Sequence, residues 1–450
     1  MYKRSYYTEI TDSLDINVGV SGRLLFATRT GALLLINDDD YPSFSENKFD
    51  QIPKELFDTL IEAEAIVPLD EDELSSIIND NNKTILNNGV LDIVIQPGAS
   101  CQLGCHYCGQ QHSKHYMDEK TQKNLIKRIK SNIEKSNCSK ILITWYGAEP
   151  LMALNHIYNI SEELIKICDE KGVEYTSIMV TNGLSLKNEI FKKLSSDCKI
   201  GTFQVTLDGI AEYHDRNRYL KKDQGPSFSI IFNNLLTIVN DSSYLEKDAR
   251  ILIRCNVDTN NVEGLNAFID LLDEHNLQSK IGFYLVPIHN WGDNGIENTK
   301  GVEKDDFSVL EIDWMINLLK RGFNTDILPE RTKIICSAVK PQSEVYDAFG
   351  NISTCWEVPY TSLFSNTKFE IGNLNTTFFS DKADVPLRNW NNDIKDGKSM
   401  SPCAKCTLLP VCGGGCPIHW VSGTPACPPF KFNIKDRMVL EYLNSKLLIS

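Results

Sequence analysis

The chain has 450 residues, is 42% hydrophobic and carries a formal net charge of −14. That length exceeds a typical single domain and can bury a substantial core, so two or three units are expected. The acidic balance excludes a groove that neutralises nucleic-acid phosphates, which needs clustered Lys and Arg. No apolar run approaches a membrane span, and Met1–Thr8 lacks the apolar centre of a signal peptide; a cytoplasmic protein without a membrane partner is the expectation.

Residues 1–88 read as a small α+β module. Gly22–Thr28 and Gly31–Ile36 are predicted strands around a turn. Pro53–Ala63 and Asp70–Asn79 are predicted helices, the second with acidic residues in its first turn. Strands followed by helices in so short a stretch suggest a winged-helix-like unit, with a plain amino-terminal cap on the next domain as the alternative.

Residues 89–325 alternate strands with helical stretches, the pattern of a parallel sheet built from β-α-β units. The predicted strands are Leu91–Gln96, Lys140–Tyr146, Tyr175–Thr181, Thr202–Leu207, Arg250–Val257 and Ile281–Ile288. Leu125–Ile133, Ile157–Ile167 and Phe228–Val239 fit intervening helices, with Ser227 capping the last. The fold class expected is α/β: a partial six-stranded TIM-like (β/α) barrel, whose reactive ends are the carboxyl ends of the strands. Residues 326–450 form a loop-rich, cysteine-bearing unit.

The 14 cysteines include tight clusters, and without an export signal these read as metal or cluster ligands rather than disulfides. After the first barrel strand comes Cys101-Gln-Leu-Gly-Cys105-His-Tyr-Cys108. Three thiolates on one loop hold three corners of a four-iron cube and leave the fourth iron open. A zinc knuckle is the plainer reading, with His106 or His112 as the fourth ligand. Cys138, Cys168, Cys198 and Cys255 have no partners in the pattern and read as core fillers.

The motif, with Tyr107 before its last cysteine, resembles the signature of the radical S-adenosylmethionine (SAM) enzymes. The resemblance implies that Cys101, Cys105 and Cys108 hold the catalytic cluster and that SAM sits on its open iron. Tyr146-Gly147-Ala148-Glu149-Pro150 resembles the GGEP segment of that family, with Ala148 replacing the second glycine. Tyr107, Gly147, Ala148 and Glu149 are therefore expected at the cofactor. Thr181-Asn182-Gly183 and the run ending Thr206-Leu207-Asp208-Gly209 match further strand-end segments, which brings Asn182, Thr206 and Asp208 to SAM or the substrate channel. Arg254 and Val257 are expected to contact SAM. Arg218 can fork to a carboxylate of SAM or substrate, or form a surface salt bridge.

Beyond the barrel lie Cys336, Cys355, Cys403, Cys406, Cys412, Cys416 and Cys427, with Gly413, Gly414 and Gly415 inside the array. The array resembles the SPASM domain, which carries two auxiliary four-iron clusters. By position, Cys403, Cys406, Cys412 and Cys427 complete one, while Cys336, Cys355 and Cys416 hold the other. No cysteine follows within Ser337–Asp347, so the latter has an open iron, a ligand other than cysteine, or a place for a substrate thiolate. Two structural zinc ions are the alternative.

Together the resemblances imply SAM and three [4Fe-4S] clusters, a low-potential electron donor such as flavodoxin or ferredoxin, and a ribosomally synthesised precursor peptide as substrate. The module 1–88 resembles the leader-binding elements that precede many peptide-modifying members. A maturase that installs an oxidative modification such as a crosslink is the expected function. The alternatives are an anaerobic sulfatase-maturing enzyme and a peptide epimerase with Cys255 or another unassigned cysteine as hydrogen donor. Against the former, Trp356 stands where those enzymes carry an aspartate. A non-catalytic cluster-bearing scaffold is the reading from another class.

Overall fold

The computed structural model describes residues 1–17, 20–289, 301–365, 367–376 and 385–449. Fifteen strands lie among them: β1 (Tyr2–Arg4), β2 (Thr8–Ile10), β3 (Leu14–Asn17), β4 (Val20–Ala27), β5 (Ala32–Asn37), β6 (Ile66–Pro68), β7 (Val90–Ile95), β8 (Lys140–Trp145), β9 (Glu174–Thr181), β10 (Ile200–Thr206), β11 (Arg250–Val257), β12 (Ile281–Pro287), β13 (Glu344–Tyr346), β14 (Asn351–Ser353) and β15 (Glu370–Asn373).

The six strands β7 to β12 are successive parallel neighbours, the partial barrel that the alternating pattern predicts. They are apolar along their length because parallel strands under crossover helices are covered on both faces. Leu91, Ile93, Ile95, Ile141, Ile143 and Trp145 are all buried in one core with the helices behind them. Short polar caps set the helix starts: Asp118 Oδ1 accepts from Thr121 N at 2.7 Å before Glu119–Lys135. Ser227 occupies the cap position of Phe228–Val239, but its side chain does not cap that helix. Asp215 does so instead, accepting from Ser227 N at 2.8 Å and Phe228 N at 2.7 Å.

The sheet does not stop at six strands. β13 joins the edge of β7 in parallel, Glu344 opposite Ile93 and Tyr346 opposite Ile95, and β14 and β15 extend it antiparallel to nine strands. A buried polar knot clamps this junction. Arg128, on Glu119–Lys135, meets Glu344 at 2.6 and 3.1 Å, Asn132 Nδ2 donates to Glu344 at 2.9 Å, and the Tyr346 hydroxyl donates to it as well.

In residues 1–88 the expected hairpin is the centre of a larger sheet: β4 pairs with β5 on one side and with β2 and β3 on the other. The second helix starts at Glu73 and runs to Asn87, past the predicted end at Asn79. The module is packed on the cysteine-bearing segment. Leu24 and Phe26 share a core with Leu408, Val411, Ile434 and Met438, and Tyr7 and Ile77 share another with Trp390 and Trp420. Among the described residues, no helix is long and apolar enough to cross a membrane.

Candidate active site and cysteine centres

The loop after β7 is held over the strand ends by backbone bonds to the segment that follows β10. Gly104 N donates to Tyr219 O at 2.9 Å, His106 N to Asn217 O at 3.1 Å, and Lys221 N to Gln102 O at 2.9 Å. A Cβ on Gly104 would lie 2.6 Å from the Tyr219 ring, so only glycine allows this approach. The result is a cavity of about 200 Å3 at the carboxyl ends of the strands, with Cys101, Cys105 and Cys108 on its wall.

Opposite the thiols, the turn after β8 has two consecutive residues in the left-handed region, Gly147 (φ 81) and Ala148 (φ 47). A Cβ at position 147 would lie 2.0 Å from Gln96 Oε1. Ala148 adopts the glycine-like conformation despite its methyl group, with strain of about 1–2 kcal/mol, and its amide donates to Gln110 Oε1 at 2.8 Å.

A polar network backs the cysteine loop. The Tyr107 hydroxyl donates to Asp208 Oδ2 at 2.6 Å and accepts from Arg218 at 2.6 Å and Asn256 Nδ2 at 3.0 Å. Burial raises the Asp208 carboxyl while Arg218 pulls it down. His214 is buried and held neutral: desolvation and then Arg218 push it well below its ordinary value. Its Nδ1 accepts from Asp208 N at 3.1 Å, leaving Nε2 to donate to Ser227 Oγ at 3.1 Å. Arg218 is thus buried in the network and is no surface salt bridge. Among the described residues, Arg218 Nε and Gln110 Nε2 have no hydrogen-bond partner, although both residues line the cavity.

Of the predicted residues, the cavity brings together Cys101, Cys105, Tyr107, Cys108, Gly147, Ala148, Asn182, Thr206, Arg218 and Arg254. Glu149, Asp208 and Val257 are buried and are not among the residues that line it. Glu149 is consumed by Leu151 N at 3.0 Å, Thr181 Oγ1 at 2.6 Å and Asn182 N at 2.7 Å, and so locks the β8 turn to the end of β9. The sequence reading missed Gln204 and Asn256. Each lies two residues from a predicted contact on the same strand, Thr206 or Arg254, and the strand period of two could have found both. It also missed Gln110 and His289, which are on loops and carry no such signal.

His106 cannot complete a zinc knuckle here. Its Nε2 lies 3.0 Å from Asp258, and although burial opposes the charge, this contact raises its pKa. His112 Nε2 is 3.9 Å from Cys108 Sγ, but Lys221 donates to its Nδ1 at 2.7 Å; burial, then Lys221, lowers its pKa to about 4.

The seven later cysteines fall into two groups. Cys403, Cys406, Cys412 and Cys427 line one cavity of about 20 Å3, walled by Leu408, Leu409, Trp420 and Phe430. Gly413, Gly414 and Gly415 all have positive φ, and a Cβ on Gly415 would lie 2.3 Å from Ala426 O. Burial, then Cys403, Cys406 and Cys427, pushes the Cys412 thiol up to about 12. Lys431 Nζ is 3.4 Å from Cys427 Sγ. In the second group, burial, then Glu357, followed by Cys336, pushes Cys416 up to about 12, while Cys355 is raised by burial, Glu357, Cys416 and Cys336. Crowded, desolvated thiols of this kind suit a cation that stabilises them as thiolates. The donor sets therefore fit iron–sulfur clusters. Trp356 links this group to the large cavity: its ring lies 5.2 Å from that of Tyr146, a cavity residue.

A three-cysteine loop after the first strand of a parallel partial barrel, facing a cavity at the strand ends, is the arrangement of an iron–sulfur enzyme with an open reaction chamber. The radical SAM superfamily model matches residues 95–240, and that segment is a radical SAM domain, of a superfamily whose members are enzymes that use SAM and an iron–sulfur cluster. The chain is 29% identical over 175 residues to the serine-type anaerobic sulfatase-maturating enzyme of Bacteroides thetaiotaomicron, covering 34% of this chain and 40% of that enzyme's length. It is 22% identical over 341 residues to the Fe-coproporphyrin III synthase of Methanosarcina barkeri, covering 70% of this chain and 80% of that one. Among solved structures it resembles anSMEcpe with bound AdoMet, with TM-score 0.57, 16% identity, and 80% of this chain and 94% of that chain covered. The same protein is solved with AdoMet and the Kp18Cys peptide, at TM-score 0.57, 15% identity, and 78% and 99% coverage.

Proposed function

We propose that the chain is a peptide maturase that removes a hydrogen atom from a ribosomally made precursor peptide and leaves an oxidised product such as a crosslink. The observation that carries this reading is the division of ten thiols into three groups, of which one opens on the large cavity and two lie beyond it. In this reading Cys101, Cys105 and Cys108 hold one four-iron cluster with SAM. Cys403, Cys406, Cys412 and Cys427 hold a second, and Cys336, Cys355 and Cys416 a third. When bound, the first cluster and SAM supply a 5′-deoxyadenosyl radical, and auxiliary clusters can accept the electron that an oxidation leaves over.

The chain's own residues position the reactants. Arg218, fixed by Tyr107, offers a guanidinium that can fork to a carboxylate. Asn182 Nδ2 lies 3.8 Å from Cys101 Sγ and its own loop is pinned by Glu149. Gln204 and Asn256 add amides to the wall, and the loop's backbone bonds keep the thiols at the strand ends. The module 1–88 would hold the leader, residues 89–325 the radical chemistry and 326–450 the auxiliary clusters. A flavodoxin or ferredoxin would supply the electron, in the cytoplasm.

The sulfatase-maturating relative favours a second reading, formylglycine formation, to which Trp356 remains the objection. Both readings take a peptide, which separates them from the porphyrin chemistry named for the second relative. Replacing Cys101, Cys105 and Cys108 together with Ala tests the core of the proposal. Production of 5′-deoxyadenosine should fall to background, while about eight of about 12 irons stay bound. Undiminished production would overturn the assignment.

A further inference from the structure

A four-iron cluster takes four protein ligands when it is closed, and only three thiols converge at Cys336, Cys355 and Cys416. No spare thiol is near. Cys168, Cys198 and Cys255 are buried in the barrel core and Cys138 packs against it. What does stand beside the group is a carboxylate held by imidazoles. Glu357 follows Cys355 by two residues across a tight turn, closed by Val358 N donating to Cys355 O at 3.3 Å. His419 follows Cys416 by three residues on the short helix Pro417–Val421, whose cap position is Cys416 itself.

These two side chains meet. His419 Nε2 is 3.1 and 3.0 Å from the two oxygens of Glu357, and His289 Nε2 is 3.7 Å from one of them. The imidazole rings are 4.4 Å apart. Trp356 Nε1 donates to Ser337 Oγ at 3.1 Å, which brings the turn after Cys355 beside Cys336, and Ala338, Val358 and Ile418 share one core against which Cys355 and Cys416 pack, so Glu357 stands where the three cysteine-bearing segments meet.

Building on the three-cluster reading above, we propose that Glu357 is the fourth ligand of the Cys336–Cys355–Cys416 cluster, oriented by His419 and His289. A carboxylate brings the same single negative charge as the missing thiolate. It binds by donating an oxygen lone pair, so no oxidation or proton release is needed. An imidazole bonded to a ligating carboxylate fixes its direction, the usual role of an outer-shell partner. The site is thereby closed by the chain itself, and a substrate thiol is not required to complete it. The three side chains also have spacings near the edge of about 3.3–3.5 Å expected between ligands of a tetrahedral zinc ion, so a separate mononuclear site is the rival.

The test uses the anaerobically purified full chain with Cys101, Cys105 and Cys108 all replaced by Ala, so that only the two auxiliary sites contribute. Electron paramagnetic resonance is recorded on this protein and on its Glu357→Gln and Glu357→Cys derivatives, with iron and zinc counted in each. At about eight irons per chain, Glu357→Gln should alter one of two reduced-cluster signals. Glu357→Cys should replace that signal with one typical of four thiolates, and free cysteine added to the Glu357-containing protein should change nothing. Identical signals in all three proteins at about eight irons would overturn the ligand assignment alone, as would a response to added cysteine. Nitrogen hyperfine coupling lost in His419→Gln would assign the position to His419 instead. One zinc per chain, lost in Glu357→Gln while iron is unchanged, would establish the rival site. About four irons in every protein would overturn the three-cluster reading and this assignment with it.

Discussion

The barrel thiols and the four-thiol pocket near the carboxyl end are enclosed in opposite ways. Cys101, Cys105 and Cys108 face about 200 Å3 of space and are backed by Tyr107, Asp208, Arg218 and Asn256. Cys403, Cys406, Cys412 and Cys427 face about 20 Å3 walled by Leu408, Trp420 and Phe430, with nearby backbone carbonyls bonded to indole N–H groups: Trp390 Nε1 donates to Gly413 O at 3.1 Å and Trp420 Nε1 to Gly414 O at 2.9 Å. The reaction chamber and the closed centre thus differ in more than three thiols against four. Only around the first do the surroundings keep polar groups and space available for a second molecule.

The largest test of that contrast strikes the seam between the two regions. Glu344→Ala leaves Arg128 buried without its carboxylate and should cost about 3–5 kcal/mol, read as a lowered urea midpoint under anaerobic conditions. The same residue gives a pH signature. Burial opposes its charge but Arg128 wins, so the folded-state pKa lies below the ordinary value. Its contribution is then fully present above about pH 4.3 and is lost as pH falls through the folded-state value. The stability gap between the parent and Glu344→Gln should narrow on acidification below that point. A gap that widens would contradict the sign.

Tyr107→Phe acts on the barrel side only. It removes the shared partner of Asp208, Arg218 and Asn256 and should cost about 1–3 kcal/mol, with weaker SAM binding by calorimetry while iron at the carboxyl-terminal groups is unchanged. Loss of that iron would show the two regions to be coupled more tightly than their separate cores suggest. The smallest effect is a gain. Ala148→Gly relieves about 1–2 kcal/mol of left-handed strain against about 0.5–1 kcal/mol of added chain entropy, so the melting temperature should rise slightly. A fall would mean that the methyl group packs usefully.

Much of this was legible in the sequence where one element decides the matter alone. The six barrel strands lie within two residues of their predicted bounds because a buried parallel strand is an apolar run closed by turn residues. The Cys101–Cys108 loop was legible because its spacing is local, whereas the grouping of the seven later cysteines rested on the resemblance to the SPASM domain. What stayed hidden depends on partners far along the chain. β13 pairs with β7 across about 250 residues, as the register of Glu344 with Ile93 shows, and nothing in a three-residue strand announces it. Glu149 and Asp208 sit in motifs that a sequence can show, but a motif does not say which way a side chain points. Ser227 illustrates the same gap: it stands at a helix start, yet its hydroxyl serves Arg218 O and His214, and Asp215 supplies the cap.

The seam at β13 also governs what happens when the chain is cut. A barrel ending before residue 326 would expose the N–H and C=O row of β7 that β13 now occupies through Val345 and its neighbours. Bare edges of apolar parallel strands recruit other chains. The isolated central domain should therefore collect in inclusion bodies unless a strand is supplied in trans, for instance as a synthetic peptide spanning 340–354. The carboxyl-terminal segment thus acts as a built-in guard against self-association, whatever its cysteines bind.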